Sequence, residues 1–471
     1  MEIIHLSAEC YPVAKAGGLG DVVGALPKYQ CKAGHFAKVV MPMYHTKFIT
    51  QNELVNEYES EFYMGNYRFH FRVMKEKYNK LGYDLYLIDI PGLFDRDQIY
   101  SYDDDAQRFI GFQIAFLEWI RQWQHRPDVV HCHDHHTALI PFLMKYGYRY
   151  QHLAAVKTVL TIHNGLYQGW MSWNTAELLP EYDRWKSGLL EWNNMVNPLS
   201  SAIRCVDAVT TVSLSYLKEL MDSANGLETL FRSFHYKCFG LLNGIDNEVW
   251  DPSTDPYISY HYNSKNVDEM KLKNKVEICE LFALDASKPL IVFIGRAVSE
   301  KGADMLPAAI SKALRDMQGA CNFLVLGSGD KGVERSLDGL KAYFPGHYNC
   351  YIGYNEQLSH KMYAAADFIL MPSRVEPCGL NQMYALRYAT IPMVRSVGGL
   401  KDTVVDFGSE GGFGIRFNQA SVQDIVSASY RAVELFYDYQ DSFLLIRRRM
   451  MAIDHSWEKS TEQYLKLYQS L

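Results

Sequence analysis

Residues 3–22 read IIHLSAECYPVAKAGGLGDV, and residues 290–302 read LIVFIGRAVSEKG. Each segment begins with a short apolar run rich in β-branched residues, continues through a turn that contains glycine and a cation, and leads into a helix-like pattern. A strand followed by a glycine turn and a helix is typical of a parallel sheet covered by helices. Because this arrangement starts once in each half of the chain, we predict two such sheets.

Strand and helix patterns alternate along the whole length of 471 residues. The predicted strands span residues 3–8, 38–43, 84–90, 129–133, 157–163, 208–213, 290–295, 322–327, 350–353, 368–371 and 392–395. The predicted helices include residues 106–123, 302–316 and 379–389. The pattern pauses at DPSTDP and the polar stretch behind it, so we place a domain boundary near residue 246. The fold class is therefore α/β, with two doubly wound, Rossmann-like domains that face each other across a deep cleft.

Composition and charge exclude several classes of protein. The net charge is −7 and no block of five or more Lys/Arg occurs, so neither nucleic acid nor an anionic membrane is an expected partner. No apolar run is long enough to span a membrane, and the first residues lack the basic region of a secretory signal. The nine cysteines are never closely paired, which favours a reducing, cytoplasmic location over a disulfide framework or a zinc knuckle.

The turn KAGGLGDV, which begins at Lys15, has the features of an anion site. Glycines let the backbone approach a ligand, the following helix offers free N–H groups, and the lysine adds a mobile positive charge. The same glycines also fit an ordinary tight turn. Their spacing matches neither a nicotinamide-binding fingerprint nor a Walker loop.

Two turns in the second half have matching chemistry. In GRAVSEKG, Arg296 and Lys301 can converge on one pyrophosphate, or one of them can form a surface ion pair with Glu300. In EPCGL, the carboxylate of Glu376 precedes a helix N-terminus. That arrangement can hold a sugar hydroxyl with the acid and a phosphate with the backbone.

The segment HCHDHH, which starts at His131, has two readings. One is a metal-dependent hydrolase built on His131, His133 and His136, because the segment nearly matches the H-x-H-x-D-H motif of the metallo-β-lactamase hydrolases. That fold is rich in β-structure, however, and this chain alternates strand and helix. The other reading is one or two core histidines, with Asp134 as the N-cap of a helix.

Taken together, the motifs resemble the bacterial glycogen synthase family, which uses ADP-glucose and includes the plant starch synthases. The shared segments are KAGGLGDV, HCHDHH, TIHNGLYQG, VTTVS, LLNGIDNEVWDPSTDP, GRAVSEKG, LGSGD, EPCGL, VGGLKDTV and SWEKS, in family order. The resemblance implies the GT-B fold and a retaining transfer of glucose from ADP-glucose to the non-reducing end of an α-1,4-glucan, such as glycogen or a maltooligosaccharide. It implies no cofactor and no metal.

The resemblance also implies site residues. The catalytic set is Lys15, His163, Arg296, Lys301 and Glu376. The donor-binding set is Lys15, Gly18, Arg296, Lys301, Tyr354, Cys378, Gly379 and Leu380, with Tyr354 stacked on adenine. The acceptor-side set is Glu9, Asp21, Phe94, Asp134, His136, Asn164 and Asn243. The positions that depart from the family pattern are Ala16, Phe94, His135, Asn381 and Ala389.

The family pattern divides the chain into an acceptor-side domain of residues 1–245 plus 456–471 and a donor-binding domain of residues 246–455. The last segment carries an apolar stripe that we expect to pack on the first domain, namely Trp457, Tyr464, Leu465 and Tyr468.

Two other functions stay open beside the hydrolase. A phosphorylase of the same fold would need a lysine that holds pyridoxal phosphate, and no segment resembles such a site. A non-catalytic glucan-binding protein would be expected to lose the donor-side cations, which are all present here.

Overall fold

The computed structural model describes residues 1–471. The chain divides into two compact units, and each is described by itself. Unit 1 is Met1–Leu242 with Trp457–Leu471, and unit 2 is Asn243–Ser456. The sequence placed the two boundaries within a few residues of these positions. Within unit 2 the two boundary segments lie side by side, because the Ile245 N–H donates to the His455 carbonyl oxygen over 2.8 Å.

Unit 1 is built on a nine-stranded sheet in the order β11-β10-β7-β6-β1-β2-β5-β4-β3. Its strands are β1 Glu2–Leu6, β2 Phe36–Pro42, β3 Leu54–Met64, β4 Tyr67–Glu76, β5 Asp84–Asp89, β6 Val129–His133, β7 Lys157–Ile162, β10 Ala208–Thr211 and β11 Cys238–Gly240, with a separate hairpin of β8 Glu191–Trp192 and β9 Met195–Val196. Seven of these nine strands pair in parallel, and the hairpin β3–β4 adds an antiparallel edge.

That edge hairpin is a correction to the sequence prediction, which assigned no strand between residues 43 and 84. Its outward side chains are mostly exposed and charged, so β3 alternates weakly and β4 shows little of the apolar pattern of a buried strand. Ten residue pairs connect the two strands, and the inner face of the hairpin buries Phe62, Phe71 and Val73.

Helices cover both faces of this sheet. They are α1 Gly18–Lys32, α2 Lys47–Gln51, α3 Asp105–Ile120, α4 Ile140–Tyr146, α5 Trp173–Ala176, α6 Pro198–Cys205, α7 Leu214–Asp222, α8 Glu228–Ser233 and, from the far end of the chain, α17 Trp457–Ser470. Helix α17 packs beside α1 over the start of the central strands, where Trp457, Tyr464 and Tyr468 join one buried cluster with Ile3 and Val129. The predicted docking of this stripe on the first domain is therefore seen in the contacts.

Unit 2 is a six-stranded, wholly parallel sheet in the order β14-β13-β12-β15-β16-β17. Its strands are β12 Leu290–Ile294, β13 Asn322–Gly327, β14 Tyr348–Ile352, β15 Phe368–Met371, β16 Ile391–Arg395 and β17 Ile415–Phe417. Its helices are α9 Val267–Leu281, α10 Leu306–Asp316, α11 Lys331–Gly339, α12 Glu356–Ala365, α13 Asn381–Arg387, α14 Gly398–Thr403, α15 Val422–Tyr437 and α16 Gln440–Met450.

The predicted strands 129–133, 322–327 and 368–371 match the structure in full, and the other predicted strands lie within two residues of it. The helix predicted at 302–316 starts later, at Leu306. Gly302 has a left-handed φ of 72°, and a short 3₁₀ turn at Ala303–Met305 precedes the helix. Strand β17 was missed because it has only three residues. No helix of the protein is both long and apolar enough to cross a bilayer.

Candidate functional site

The glycine turn after β1 is organised by a buried acid. One oxygen of Glu9 accepts the backbone N–H groups of Ala16 and Gly17 over 2.6 and 2.8 Å, and the other accepts the Tyr100 hydroxyl over 2.7 Å. Glu9 is only 4% exposed. The Glu9 carboxylate therefore fixes the backbone of the turn. This is a structural role for a residue of the predicted acceptor-side set.

Lys15 lies on the rim of the same turn, where its ammonium group contacts the Asp21 carboxylate over 2.6 Å. The side chains are 40% and 30% exposed, so water weakens this pair and a stronger anion can compete for the lysine. The structure thus pairs Lys15, which was predicted to bind the donor, with Asp21, which was predicted on the acceptor side.

The glycines of this turn and of the helix after it serve different purposes. A Cβ atom at Gly24 would lie 2.4 Å from the Tyr11 carbonyl oxygen, so that glycine is required by packing. At Gly17 and Gly18 a Cβ would meet no atom within 4 Å. The backbone of Gly17 is extended, with φ −148°, which any residue can adopt. Nothing in the fold requires a glycine at these two positions, and they border open space at the start of α1.

Asp134, at the end of β6, has a strained backbone. Its φ of 55° and ψ of −173° lie in a region that is almost restricted to glycine and that costs about 1–3 kcal/mol. Its carboxylate does not cap the following turn, so the predicted N-cap role is wrong. The carboxylate instead accepts the His163 backbone N–H over 2.7 Å. Burial raises the pKa of Asp134 to about 7.

His163 follows β7, and its ring contacts the ring of His133 on β6, with 3.0 Å between His163 Nε2 and His133 Nδ1. Burial lowers the pKa of His163 to about 3, so the imidazole is neutral at physiological pH. The next residue, Asn164, turns the chain by accepting the Leu166 backbone N–H over 3.1 Å. His163 and Asp134 are therefore adjacent.

His136 and Phe94 belong to an aromatic cluster. The His136 ring stacks on Tyr100 with 4.8 Å between centroids and lies edge-on to Phe109 at 4.5 Å. Phe94 is 1% exposed and packs edge-on against Tyr44. The structure thus places Phe94 in the core, where its ring also lies edge-on to Phe109.

The hydrolase reading requires His131, His133 and His136 to share a metal, and the structure does not bring them together. The histidines that do cluster are His5, His131 and His133, whose nearest ring nitrogens lie within 4.8 Å of one another. Every ring nitrogen of those three already has a hydrogen-bond partner. The donor set is therefore committed to hydrogen bonds and does not fit a metal.

In unit 2, Lys301 and Glu376 form the central ion pair. The Lys301 ammonium lies 2.7 Å from both carboxylate oxygens of Glu376, and the Ser373 hydroxyl donates to one of them over 2.8 Å. The side chains are 24% and 7% exposed. The two predicted residues therefore share one desolvated site at the ends of β12 and β15.

Arg296 is held more loosely. Its guanidinium is 61% exposed and lies 3.9 Å from Glu300, so the surface ion pair considered above is present but long. The turn itself is fixed by Arg374, whose guanidinium donates to the Ser299 carbonyl oxygen and to Asp304. Arg296 thus projects from a rigid turn with its charge available.

The loop of Glu376 rests on a second pair of glycines. A Cβ at Gly398 would lie 2.0 Å from the Glu376 carbonyl oxygen, and one at Gly399 would lie 2.0 Å from the Cys378 carbonyl oxygen. The Gly399 N–H donates to the Glu376 carbonyl oxygen over 3.1 Å. The shared segment VGGLKDTV therefore positions the acid, a role that sequence reasoning missed.

The remaining donor-side residues lie around this loop. Gly379 has a left-handed φ of 74°, and Leu380 precedes the first residue of α13. Cys378 is buried, which raises the pKa of its thiol to about 12, and the backbone of Asn243 hydrogen-bonds to it. The amide of Asn381 donates to the Ile294 carbonyl oxygen over 2.6 Å, so this departure from the family pattern links α13 to β12.

Tyr354 lies apart from these contacts, at the end of β14. Its ring is 84% exposed, and its hydroxyl donates to Glu356 over 3.3 Å. Such an exposed aromatic face is suited to stacking.

The amino-acid sequence is similar to those of known proteins along nearly the whole chain. The family described as "Starch synthase catalytic domain" matches residues 2–233, and the family described as "Glycosyl transferases group 1" matches residues 277–434. Over 468 residues the chain is 54% identical to a glycogen synthase of Flavobacterium johnsoniae, and the alignment covers 99% of this chain and 98% of that protein. The chain belongs to the glycogen synthase family. A family member from Streptococcus pneumoniae is 37% identical, with full coverage of both proteins.

Solved structures agree with this family assignment. The catalytic domain of Starch Synthase IV from Arabidopsis thaliana, bound to ADP and acarbose, superimposes with a TM-score of 0.88 at 31% identity, covering 100% of this chain and 99% of that one. A sucrose-phosphate synthase from Thermosynechococcus elongatus has a TM-score of 0.64 at 14% identity and shows the fold alone. The predicted GT-B fold is confirmed, and this glycogen synthase family member is a glucosyltransferase of glycogen synthesis.

Proposed function

We propose that the protein transfers glucose from ADP-glucose to the non-reducing end of an α-1,4-glucan, with retention of the anomeric configuration. The observation that carries this proposal is the desolvated pair of Lys301 and Glu376 at the strand ends of unit 2. The plant starch synthase of similar structure was solved with ADP and acarbose, a nucleotide and a glucan mimic. Glycogen and maltooligosaccharides are the matching acceptors.

Lys301 and Glu376 are suited to the two parts of a nucleotide sugar. Without ligand they neutralise each other at 2.7 Å. A pyrophosphate and a sugar can replace this contact, because the cation then binds phosphate oxygens and the acid accepts sugar hydroxyls. Charge-assisted hydrogen bonds of both kinds are stronger than neutral ones.

The reaction itself develops negative charge on the leaving ADP while the anomeric carbon becomes oxocarbenium-like. Lys15, Arg296 and Lys301 supply positive charge to stabilise this state, and a preformed turn supplies it without reorganisation. The exposed Arg296 and the weakly paired Lys15 are free to bind phosphate oxygens. Catalysis is therefore mainly electrostatic, and we propose that it requires neither a metal nor another cofactor.

Retention can follow two routes. A double displacement needs one carboxylate as nucleophile beside a second acid. Glu376 is bound to Lys301 and Ser373, and Glu9 and Asp134 accept backbone N–H groups. We therefore favour attack by the acceptor hydroxyl on the leaving-group face, with a phosphate oxygen of the leaving ADP taking the proton.

The proposal is tested by a panel of nucleotide sugars with glycogen as acceptor, in the presence and absence of EDTA. The expected result is incorporation from ADP-glucose that exceeds incorporation from UDP-glucose and is unaffected by the chelator. Product analysis by NMR should show new α-1,4 linkages. Loss of activity in EDTA that Mn²⁺ restores would contradict the metal-free mechanism, and preference for another donor would contradict the assignment of ADP-glucose.

A further inference from the structure

A continuous line of polar side chains crosses the buried face of the sheet in unit 1. Parallel strands buried on both faces are normally apolar. Here four adjacent strands each contribute polar residues to the face covered by α1 and α17. These residues are His5 on β1, His131 and His133 on β6, Thr161 on β7 and Thr210 on β10. All five are 0% exposed.

Two histidines of this line, together with His163 at the end of β7, form a relay that ends at α1. His163 Nε2 lies 3.0 Å from His133 Nδ1, and His133 Nε2 lies 3.0 Å from His5 Nδ1. His5 Nε2 lies 2.8 Å from the side-chain oxygen of Gln30. We call His163–His133–His5–Gln30 the histidine relay. Burial lowers the pKa of each histidine in it, to about 3 for His163 and about 4 for His5, so each ring is neutral and carries one proton.

A second series of bonds fixes the orientation of the Gln30 amide. Its nitrogen donates to the Tyr468 hydroxyl oxygen over 3.4 Å, and that hydroxyl lies 2.7 Å from His131 Nδ1. His131 Nε2 lies 2.6 Å from the Thr161 hydroxyl, which contacts the Thr210 hydroxyl over 2.5 Å. We call Tyr468–His131–Thr161–Thr210 the hydroxyl arm.

The direction of every bond follows from the far end of the hydroxyl arm. Thr210 donates to the Leu160 carbonyl oxygen over 3.5 Å, and a carbonyl can only accept. Each hydroxyl and each neutral imidazole has one proton to give, so Thr161 donates to Thr210, His131 to Thr161, and Tyr468 to His131. Tyr468 then accepts from the Gln30 amide nitrogen, which leaves the Gln30 oxygen facing His5.

The same logic continues through the histidine relay. The Gln30 oxygen accepts from His5 Nε2–H, so His5 Nδ1 must accept from His133 Nε2–H. His133 Nδ1 must then accept from His163 Nε2–H. The outcome is a defined tautomer at the end of the line, where His163 is 9% exposed while the other two histidines of the relay are 0% exposed.

We propose that Gln30 and Tyr468 are positioning residues that fix His163 as its Nε2–H tautomer, so that Nδ1 is a hydrogen-bond acceptor for a substrate hydroxyl. The link to substrate rests on the proposed function and on the family resemblance, which implies that His163 belongs to the catalytic set. An acceptor-only nitrogen favours a hydroxyl at that point and disfavours a carboxylate, because two acceptors repel each other. Two residues outside the predicted site sets, Gln30 on α1 and Tyr468 on α17, thereby contribute to the specificity of the site.

The tautomer can be measured without turnover. Two-bond proton–nitrogen correlation spectra of protein labelled with ¹⁵N-histidine distinguish a protonated Nε2 from a protonated Nδ1. The His163 signals are identified by their loss in His163→Asn. The expected wild-type pattern is Nε2–H, and a wild-type His163 that carries its proton on Nδ1 would overturn the proposal.

Two substitutions of similar size at Gln30 test the relay. Gln30→Met removes the acceptor, so we expect a mixture of His163 tautomers and a kcat/KM that falls about 2-fold if the two forms become equally populated. Gln30→Glu still offers an oxygen to His5 and should retain the wild-type tautomer and recover kcat/KM. An unchanged tautomer in Gln30→Met would refute the role of Gln30.

Tyr468→Phe tests the arm, since the Gln30 amide then loses the partner of its nitrogen. Circular dichroism and melting temperature show whether each variant is folded, and Tyr468→Phe guards against a failure of Gln30→Met to fold. An unchanged His163 tautomer in Tyr468→Phe would refute the role of Tyr468. A changed tautomer with unchanged kinetics would refute the acceptor role of His163 Nδ1 toward substrate, whereas loss of glucose transfer from ADP-glucose in the wild type would refute the proposed function.

Discussion

The pair of Lys301 and Glu376 allows stability and catalysis to be separated by substitution. Breaking a fully buried ion pair costs about 3–5 kcal/mol, whereas an exposed pair contributes at most about 1 kcal/mol. Glu376 is 7% exposed and keeps only the Ser373 hydroxyl when the lysine is removed, whereas Lys301 is 24% exposed and can reach water. The loss in the free energy of unfolding should therefore depend on which of the two residues remains after the substitution.

We expect Lys301→Ala to destabilise unit 2 by about 2–3 kcal/mol and Glu376→Gln by about 1–2 kcal/mol, between the buried and exposed limits. In a domain of 150–250 residues each kcal/mol lowers the melting temperature by roughly 2–4 °C. The double variant Lys301→Ala/Glu376→Gln leaves no unpaired charge and should regain most of the stability. All three should still lose about 10²–10³ in kcat, because each lacks at least one group that binds the donor.

Differential scanning calorimetry and glucose transfer from ADP-glucose measure the two effects. The matched control is Lys312→Ala, which removes a lysine from an exposed pair with Asp316 whose side chains are 45% and 35% exposed. It should change neither stability nor rate measurably. A double variant with normal turnover would refute the catalytic assignment, and a Lys301→Ala protein as stable as the wild type would refute the desolvation argument.

Three further predictions follow from single residues. Gly18→Ala should fold with an unchanged melting temperature, since its methyl meets no atom within 4 Å, yet raise KM for the donor. Gly24→Ala should instead fail to fold normally, and an unchanged donor KM in Gly18→Ala would mean that no ligand approaches this turn. Arg296→Ala should lower kcat by ~10²–10³ with little change in acceptor KM, and normal turnover would remove it from the site. Asp134 has a pKa raised to about 7, so its protonated form favours the fold; that stability is present below pH 4 and is lost as the pH rises to 7. Relative to Asp134→Asn, the wild type should lose at most about 1.4 kcal/mol per pH unit over this range, and parallel denaturation profiles for the two would contradict the burial of this acid.

The sequence predicted the parallel strands well because their apolar runs and turn signals are local. The cationic turns at Lys15 and Arg296 were recognisable for the same reason. The pairing of Lys301 with Glu376 was not, because the two residues lie 75 positions apart and meet only where β12 and β15 are neighbours.

The histidine relay illustrates the same limit. HCHDHH was visible as a motif, but His5 and Gln30 looked like ordinary residues of a strand and a helix. Their roles depend on the register of β1 with β6, which places His5 opposite His131. The backbone strain at Asp134 could not be predicted either, because the sequence around Asp134 is equally compatible with an aspartate that caps a helix.

The return of the last helix to unit 1 has a consequence for how the protein is made. During synthesis, residues 1–242 leave the ribosome first, and an N-terminal domain ordinarily folds before the rest of the chain appears. Here the buried cluster around Ile3 stays incomplete until Trp457 and Tyr468 emerge, after the whole of unit 2. The nascent first unit therefore keeps an exposed apolar face until these residues are made. A chain truncated before them cannot bury that face. The unit that is synthesised first is thus the one that is completed last, after residues 243–456 have been made.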